Sequence, residues 1–148
     1  MIWDLIIVYL YVFFTGCCFG SLYNVCIYRL PRKESIVRPR SHCTSCGRYL
    51  GILDIIPLVS YISLKGRCRY CGAKIPARYL LAEIQTGLMF LIVFSKYLVT
   101  LRTLVVIAIL SILYIIGMIE RDSLKSKEKR RPSYILILYA LSVLYILL

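Results

Sequence analysis

The sequence predicts an all-helical (all-α) integral membrane protein with about four transmembrane helices and one polar loop between the first two. Three observations support this fold class. Hydrophobic residues make up 60% of the chain and the mean hydropathy is +0.78, whereas apolar residues are about half of a soluble domain. The formal net charge is +12, yet the basic residues are confined to segments between long apolar runs. The longest basic segment contains two Cys-x-x-Cys-Gly sequences.

The first apolar run, Ile2 to Ile27, is long enough to cross about 30 Å of hydrocarbon. A signal peptide is the alternative, but signal peptides begin with positive charge. This run contains Asp4 and has no Lys or Arg before Arg29, so an uncleaved helix is predicted. Small side chains expected to pack closely or to be buried in this helix are Gly16, Gly20, Ser21, Cys17, Cys18 and Cys26.

A polar loop at residues 29–78 follows, and it contains eleven of the nineteen Lys and Arg residues. Within it, Asp54 to Leu64 is moderately apolar and begins with a residue suited to helix capping, although Pro57 limits a helix there. Short pieces of structure around the cysteines are therefore expected. The eleven basic residues are Arg29, Arg32, Lys33, Arg38, Arg40, Arg48, Lys65, Arg67, Arg69, Lys74 and Arg78.

The two cysteine pairs of this loop predict a structural metal site. Cys43 and Cys46 form one pair, Cys68 and Cys71 form the other, and 21 residues separate the pairs. A glycine after each pair permits positive φ, which lets backbone N–H groups turn toward the sulfurs. Four thiolates form the closed tetrahedral set of a structural Zn²⁺ site, which leaves no position for an activated water. Two disulfides or four unligated thiols are the alternatives, and the nearby His42 is expected not to bind the metal.

Three further apolar runs complete the predicted membrane domain at residues 79–148: Leu80 to Phe94, Thr103 to Ile119 and Ser133 to Leu148. The predicted organisation is thus a first helix at 1–28, the basic loop at 29–78 and this domain. The connection between the second and third runs has only two basic residues, whereas the segment from Glu120 to Arg131 has six. Basic loops face the cytoplasm, so the N-terminus is expected outside and the cysteine loop inside. A reducing cytoplasm favours zinc over disulfides.

The basic residues flank apolar runs, so nucleic acid is not an expected partner. A zinc-ribbon protein of the transcription or translation machinery is disfavoured for the same reason. Anionic lipid head groups are an expected partner of the basic segments.

The segment from Gly20 to about Phe90 resembles the N-terminal half of type IV prepilin peptidases. The residues that carry the resemblance are Gly20-Ser21-Leu22-Tyr23-Asn24-Val25, Tyr28-Arg29-Leu30-Pro31-Arg32, Glu34-Ser35-Ile36-Val37, Ser41-His42-Cys43, Asp54-Ile55-Ile56-Pro57, Ser60-Tyr61, Gly66-Arg67-Cys68-Arg69-Tyr70-Cys71 and Arg78-Tyr79. The resemblance implies a multi-pass enzyme of the bacterial inner membrane that removes the leader from type IV pilin-like precursors at the cytoplasmic face. It also implies methylation of the new N-terminus with S-adenosylmethionine. Implied partners are prepilins or pseudopilins, including those of type II secretion and competence.

The resemblance associates the cysteine-containing half with methylation. Candidate polar groups for that cofactor, at the cytoplasmic mouth of the helices, are Asn24, Arg29, Glu34 and Glu83. For Glu83, a structural role as a solvated acid at the end of a helix is the alternative.

The sequence departs from the family in its catalytic carboxylates. The family's aspartic endopeptidase step uses two aspartates, the second in a Gly-x-Gly-Asp motif that this sequence lacks. At the position of the first, Glu120 stands in place of the aspartate, with Asp122 two residues later. Residues two apart diverge by about 200° on a helix, so these two form a poor dyad. A solvated acidic patch is the alternative.

Two hypotheses therefore remain from the sequence. The chain is either a partial prepilin-processing enzyme, inactive or incomplete as a peptidase, or a non-catalytic, zinc-stabilised membrane module that binds prepilins or assembly components. The sequence leaves open whether the chain pairs with itself.

Overall fold

The computed structural model describes residues 2–126 and 134–147, and this part of the chain is helical, as predicted. The helices are α1 (Ile2–Arg29), α2 (Val59–Ser63), α3 (Arg78–Tyr97), α4 (Leu101–Ser126) and α5 (Tyr134–Leu147). Short 3₁₀ helices occur at Leu30–Arg32 and Ile52–Asp54. The basic residues Lys127, Lys129, Arg130 and Arg131 lie outside the described residues.

Three helical segments are long and apolar enough to cross a membrane, namely Ile2–Arg32, Arg78–Tyr97 and Leu101–Asp122. They contain the first three predicted runs, so the multi-pass membrane architecture is confirmed. The fourth predicted run forms α5, whose apolar part, Ile137–Ile146, is shorter than the roughly 20 residues of a complete span.

Small residues allow α1 and α3 to pack with their backbones close together, as the sequence predicted. A Cβ atom added to Gly16 would lie 2.8 Å from the Gly87 Cα, and one added to Gly20 would lie 2.8 Å from the Glu83 Cα. Cys17 is fully buried beside Gly87. Cys18 is exposed, so its predicted burial was wrong: one residue further along a helix points about 100° away from the contact.

α4 and α5 complete an apolar cluster against this pair. The cluster contains Met89, Phe90 and Val93 of α3, Leu110 of α4 and Ile146 of α5.

Polar side chains bridge the same helices where α1, α3 and α4 meet. The Tyr23 hydroxyl donates to the Ser111 Oγ at 2.6 Å, and the Tyr114 hydroxyl donates to the Gln85 Oε1 at 3.0 Å. These bonds fix the helix register beneath the polar loop.

Candidate metal centre and adjoining pocket

Each Cys-x-x-Cys-Gly sequence folds into the same tight turn, which we call a knuckle. In the first knuckle, residues 41–50, the Gly47 N–H donates to the Cys43 carbonyl at 2.8 Å. In the second, residues 66–75, the Gly72 N–H donates to the Cys68 carbonyl at 2.9 Å. The φ angles of the two glycines are 71° and 70°, a region that residues with a Cβ rarely adopt.

The hydrogen bonds that close the two knuckles also match. The Leu50 N–H donates to the Ser41 carbonyl, and the Ile75 N–H donates to the Gly66 carbonyl, both at 2.8 Å. Isolated antiparallel bridges join the residues on either side of each turn, at positions 42 and 49 and at positions 67 and 74. The sequence repeat is therefore also a structural repeat, and it turns four sulfurs toward one point.

The four sulfurs form a compact cluster with the dimensions of a tetrahedral metal site. The Sγ atoms of Cys43, Cys46, Cys68 and Cys71 all lie within 4.8 Å of one another, and the Cys43–Cys71 separation is 3.9 Å. Zn–S bonds of about 2.3 Å place tetrahedral sulfurs about 3.8 Å apart. All four cysteines are free and not disulfide-bonded. The cluster can thus hold a metal ion, and four thiolates fit zinc.

The acidities of the thiols show why a cation suits this cluster. Hydrogen bonds from the backbone N–H groups of Cys46 and Ser45 lower the pKa of Cys43 to about 6. At Cys71, the backbone N–H of Ala73 favours the thiolate, but burial and the three other sulfurs together raise its pKa to about 11. One thiol therefore ionises readily while another resists, and a divalent ion removes that conflict by favouring four thiolates.

Asp54 fastens the second knuckle to the rest of the loop. Its carboxylate accepts hydrogen bonds from the Arg69 Nε at 2.6 Å and from the Gly51 N–H at 3.1 Å. The hydrogen bond from Arg69 is the main cause that lowers the pKa of Asp54. The helix-capping role predicted for Asp54 concerned the helix that follows it. That prediction was wrong, because Asp54 ends a 3₁₀ helix and α2 begins only at Val59.

Gly66 adds a second attachment for the same knuckle. Its φ is +66°, and an added Cβ would lie 2.9 Å from the ring of Tyr61. The Tyr61 hydroxyl also reaches the Ile75 carbonyl at 3.4 Å. The ring of Tyr61 therefore lies directly against the backbone that leads into Cys68.

A cavity of about 280 Å³ lies between the two knuckles, α2 and the loop-side ends of α1 and α3. Three of the predicted cofactor-binding residues, Asn24, Arg29 and Glu83, line it together, whereas Glu34 is exposed and does not. Lining residues to which the sequence analysis assigned no binding role include Ser60, Tyr61, Lys74 and Tyr79. His42 also lines the cavity but does not join the sulfur cluster. No local pattern marks these residues, because three separate segments bring them together.

Arg29 is buried and organises the first part of the loop. Its guanidinium donates to the carbonyls of Ser35, Ile36 and Pro39 at 2.8–3.2 Å. Nearby, the Asn24 side chain donates to the Tyr79 carbonyl at 3.2 Å and so ties α1 to the start of α3. Both residues therefore shape the cavity wall as well as line it.

The two candidate catalytic carboxylates lie away from this cavity on the last turns of α4. Asp122 forms an ion pair with Arg78 at 2.8 Å, which joins the end of α4 to the start of α3. Glu120 is half-buried on the same helix. The structure does not bring either residue to the cavity lining, and a catalytic role for them remains a prediction.

Comparison with known proteins gives one family. The bacterial peptidase A24 N-terminal domain matches residues 14–97, which contain most of α1, both knuckles and α3. No solved structure matches the chain.

Curated relatives agree with that match. The chain is 40% identical over 112 residues to a prepilin leader peptidase/N-methyltransferase of Myxococcus xanthus, which covers 76% of this chain and 33% of the relative. It is 31% identical over 109 residues to a protein of the same name from Bacillus subtilis, covering 74% and 44%. A type 4 prepilin-like proteins leader peptide-processing enzyme of Escherichia coli is 42% identical over 95 residues, covering 52% and 35%. The chain thus spans between a third and a half of the length of these relatives.

Proposed function

Because this chain belongs to the bacterial peptidase A24 N-terminal domain family, we propose that it acts in the processing of type IV pilin-like precursors and carries the site of N-terminal methylation. The cavity beside the four-cysteine cluster is the observation that supports this proposal most. It combines a buried cation, Arg29, with a buried acid, Glu83, and an amide, Asn24. The substrate would be a prepilin or pseudopilin, as the names of the relatives suggest.

The cavity suits S-adenosylmethionine in its chemistry. That cofactor has an anionic carboxylate and an apolar body. The lining offers Arg29 and Lys74 for the carboxylate, and apolar residues such as Val25 and Ile75 for the body. When bound, the cofactor supplies an electrophilic methyl group. Arg29 and Asn24 would hold it against α1. Zinc would keep the knuckles in place over the cavity and take no part in the chemistry, because four thiolates leave it no open position.

Leader cleavage is not assigned to Glu120 and Asp122. Two residues apart on α4, they diverge by about 200° around the helix axis, and Asp122 is paired with Arg78. An aspartic peptidase needs two adjacent carboxylates that share a proton. Cleavage by this chain would therefore need a carboxylate from another chain or from further sequence.

The proposed topology places the N-terminus outside and the knuckles in the cytoplasm, because residues 29–78 contain most of the basic side chains. This placement puts the cavity where the substrate and the methyl donor meet. Cysteine-directed labelling of intact cells tests it: labelling of the knuckle cysteines by a membrane-impermeant reagent would overturn the topology.

The experiment that tests the function uses the purified chain, a methyl-labelled donor and two substrates: an intact prepilin and a pilin whose leader has already been removed. We expect label to enter the pre-cleaved pilin, and the intact prepilin to keep its leader mass. Ser60→Trp should abolish transfer because Ser60 lines the cavity. Ser63→Trp is the matched control, since Ser63 is exposed on the same short helix. No transfer by the unmodified chain would contradict the proposal.

A second candidate function is a non-catalytic membrane module that binds prepilins or assembly components. The exposed basic residues of the loop favour it, because each adds on the order of 1 kcal/mol of attraction near an anionic membrane surface. In this case the chain would bind the prepilin and vesicles containing anionic lipid, but the pre-cleaved pilin would gain no methyl group. The transfer assay therefore separates the two functions.

A further inference from the structure

Glu83 is a buried acid that lines the cavity, and within residues 2–126 and 134–147 it forms no ion pair. Glu83 is only 9% exposed. The carboxylate accepts a hydrogen bond from the Leu58 N–H at 2.8 Å. The ion pairs recorded for the described residues are Asp54–Arg69 and Arg78–Asp122, and neither includes Glu83. A carboxylate removed from water is costly unless it is paired, so its charge needs a reason.

One role of Glu83 is structural, but that role does not need a charge. Leu58 has φ +60°, and the Val59 N–H donates to the Pro57 carbonyl at 2.6 Å, which describes a strained γ-turn. The Glu83 Oε2 holds this turn by accepting the Leu58 N–H. The amide oxygen of a glutamine would accept the same bond with the same geometry. The clamp therefore explains an acceptor at position 83 and leaves the negative charge unexplained.

The surroundings of Glu83 indicate what would balance the charge. Ser21 and Asn24 lie near it on the adjoining face of α1, and Val25, Ile55 and Leu80 contribute apolar side chains to the same cavity. Asp54 also lines this cavity but is paired with Arg69, so Glu83 is the acid that suits a small cationic group attached to an apolar body. A volume of about 280 Å³ is at the lower limit for ligand pockets, so the group that the cavity encloses around Glu83 must be small. The α-ammonium group of a peptide with an apolar first residue meets these requirements.

We propose that Glu83 binds the free α-ammonium group of the substrate peptide and takes one proton from it, so that the cavity recognises a newly exposed N-terminus. This assignment rests on the proposed methylation function, and it gives Glu83 to the acceptor peptide and not to the cofactor.

The proton transfer is what methyl transfer requires. An ammonium nitrogen has no lone pair, so one proton must first pass to the Glu83 carboxylate, which becomes neutral. The amine lone pair then forms the new N–C bond to the methyl group of a sulfonium donor. The C–S bond breaks with its electron pair going to sulfur, which leaves a neutral thioether. The product is a methylated ammonium group, and Glu83 returns its proton to solvent.

Peptide binding without any methyl donor tests this proposal independently of catalysis. The probes are two fluorescent peptides with the sequence of a mature pilin N-terminus, identical except that hydrogen replaces the α-ammonium group in one. The unmodified chain should bind the ammonium peptide roughly 10- to 100-fold more tightly than the des-amino peptide, as expected for a hydrogen bond between charged groups. In Glu83→Gln this ratio should fall to about one, since glutamine keeps the bond to Leu58 and loses the charge.

Glu34→Gln is the matched control, because Glu34 is exposed and outside the cavity, and its ratio should stay at the unmodified value. The zinc content of Glu83→Gln verifies that the knuckles are intact. Equal binding of both peptides by the unmodified chain, or an unchanged ratio in Glu83→Gln, would overturn the role of Glu83 while leaving the methyl-transfer assay as the test of function. Failure to bind either peptide, together with no methyl transfer, would overturn both proposals.

Discussion

The two knuckles have the same backbone, but the protein attaches them differently. Cys68 of the second knuckle is buried at 7% exposure, and the residues beside it contact Tyr61 and Asp54. Cys43, its counterpart in the first knuckle, is half-buried, whereas Cys46 and Cys71 are both exposed and open space surrounds both Gly47 and Gly72. The repeated sequence thus determines the turn conformation, whereas contacts with neighbouring segments anchor the second turn more firmly than the first. We infer that the first knuckle depends on the metal more strongly than the second does.

Removing one metal ligand should have the largest effect and should separate the two knuckles. Structural zinc contributes on the order of 10 kcal/mol to small metal domains, and three thiolates do not form a closed site. Cys43→Ser and Cys68→Ser should therefore both purify with little zinc, measured by elemental analysis. In Cys43→Ser, hydrogen exchange should accelerate at residues 41–50 more than at residues 66–75.

Cys18→Ser is the control for that experiment, because Cys18 is exposed on α1 and lies outside the cluster. Full zinc content in Cys43→Ser would refute the metal assignment. Equal loss of protection in both knuckles would refute the difference in anchoring.

Adding a methyl group to the glycines should give an intermediate effect. Gly66→Ala places a Cβ 2.9 Å from the Tyr61 ring at φ +66°, so positive-φ strain and overpacking together should cost about 2–3 kcal/mol in the free energy of unfolding of the loop. Gly47→Ala meets only the conformational penalty, about 1–2 kcal/mol, because nothing lies within 4 Å of its added Cβ. Chelator-dependent unfolding of the zinc-loaded variants measures both. A larger loss in Gly47→Ala would contradict the comparison.

Neutralising Asp54 should have the smallest effect and should depend on pH. Asp54→Asn weakens the contact with Arg69, which is 47% exposed at its side chain, so solvent screening keeps the loss of stability small. Since the folded pKa of Asp54 is lowered, its stabilisation is present above the ordinary Asp pKa of about 3.9. It disappears as the pH falls through the lower folded value.

The measurement for Asp54 is the difference in unfolding free energy between the unmodified chain and Asp54→Asn across this pH range. Taking the difference removes the acid-induced loss of zinc that both proteins share. Asp122→Asn serves as the control, since Asp122 pairs with Arg78 away from the knuckles. A difference that grows as the pH falls would contradict the role given to Asp54.

The fold and the four-cysteine cluster could be predicted from the sequence because their signals are local. An apolar run long enough to span a membrane forms a helix, because a helix satisfies its backbone hydrogen bonds within the run. Two cysteines three residues apart on a tight turn direct both sulfurs toward one ion. Gly16 and Gly20 likewise indicated close helix packing, and the structure confirms it, with Gly16 against Gly87 and Gly20 against Glu83.

The details of the cavity depended on contacts between distant segments. Leucine seldom adopts positive φ, so nothing in the sequence marks the γ-turn at Leu58, and only the position of Glu83, 25 residues later, explains it. The same holds for Asp54 and Arg69, whose contact joins two separate parts of the loop. Such pairings follow from the assembled loop and not from any one stretch of it.

The close contact of Gly16 and Gly20 with α3 has a consequence for biogenesis. This contact holds the two ends of segment 30–77 close together. In a free chain, the two knuckles of this segment would meet only by diffusion of a long flexible loop. Closing a loop of fixed span loses less entropy than closing a free one, and the effective concentration of one thiol pair near the other rises. Insertion and pairing of α1 with α3 would therefore precede metal binding, because the paired helices hold the two thiol pairs close enough to bind one ion.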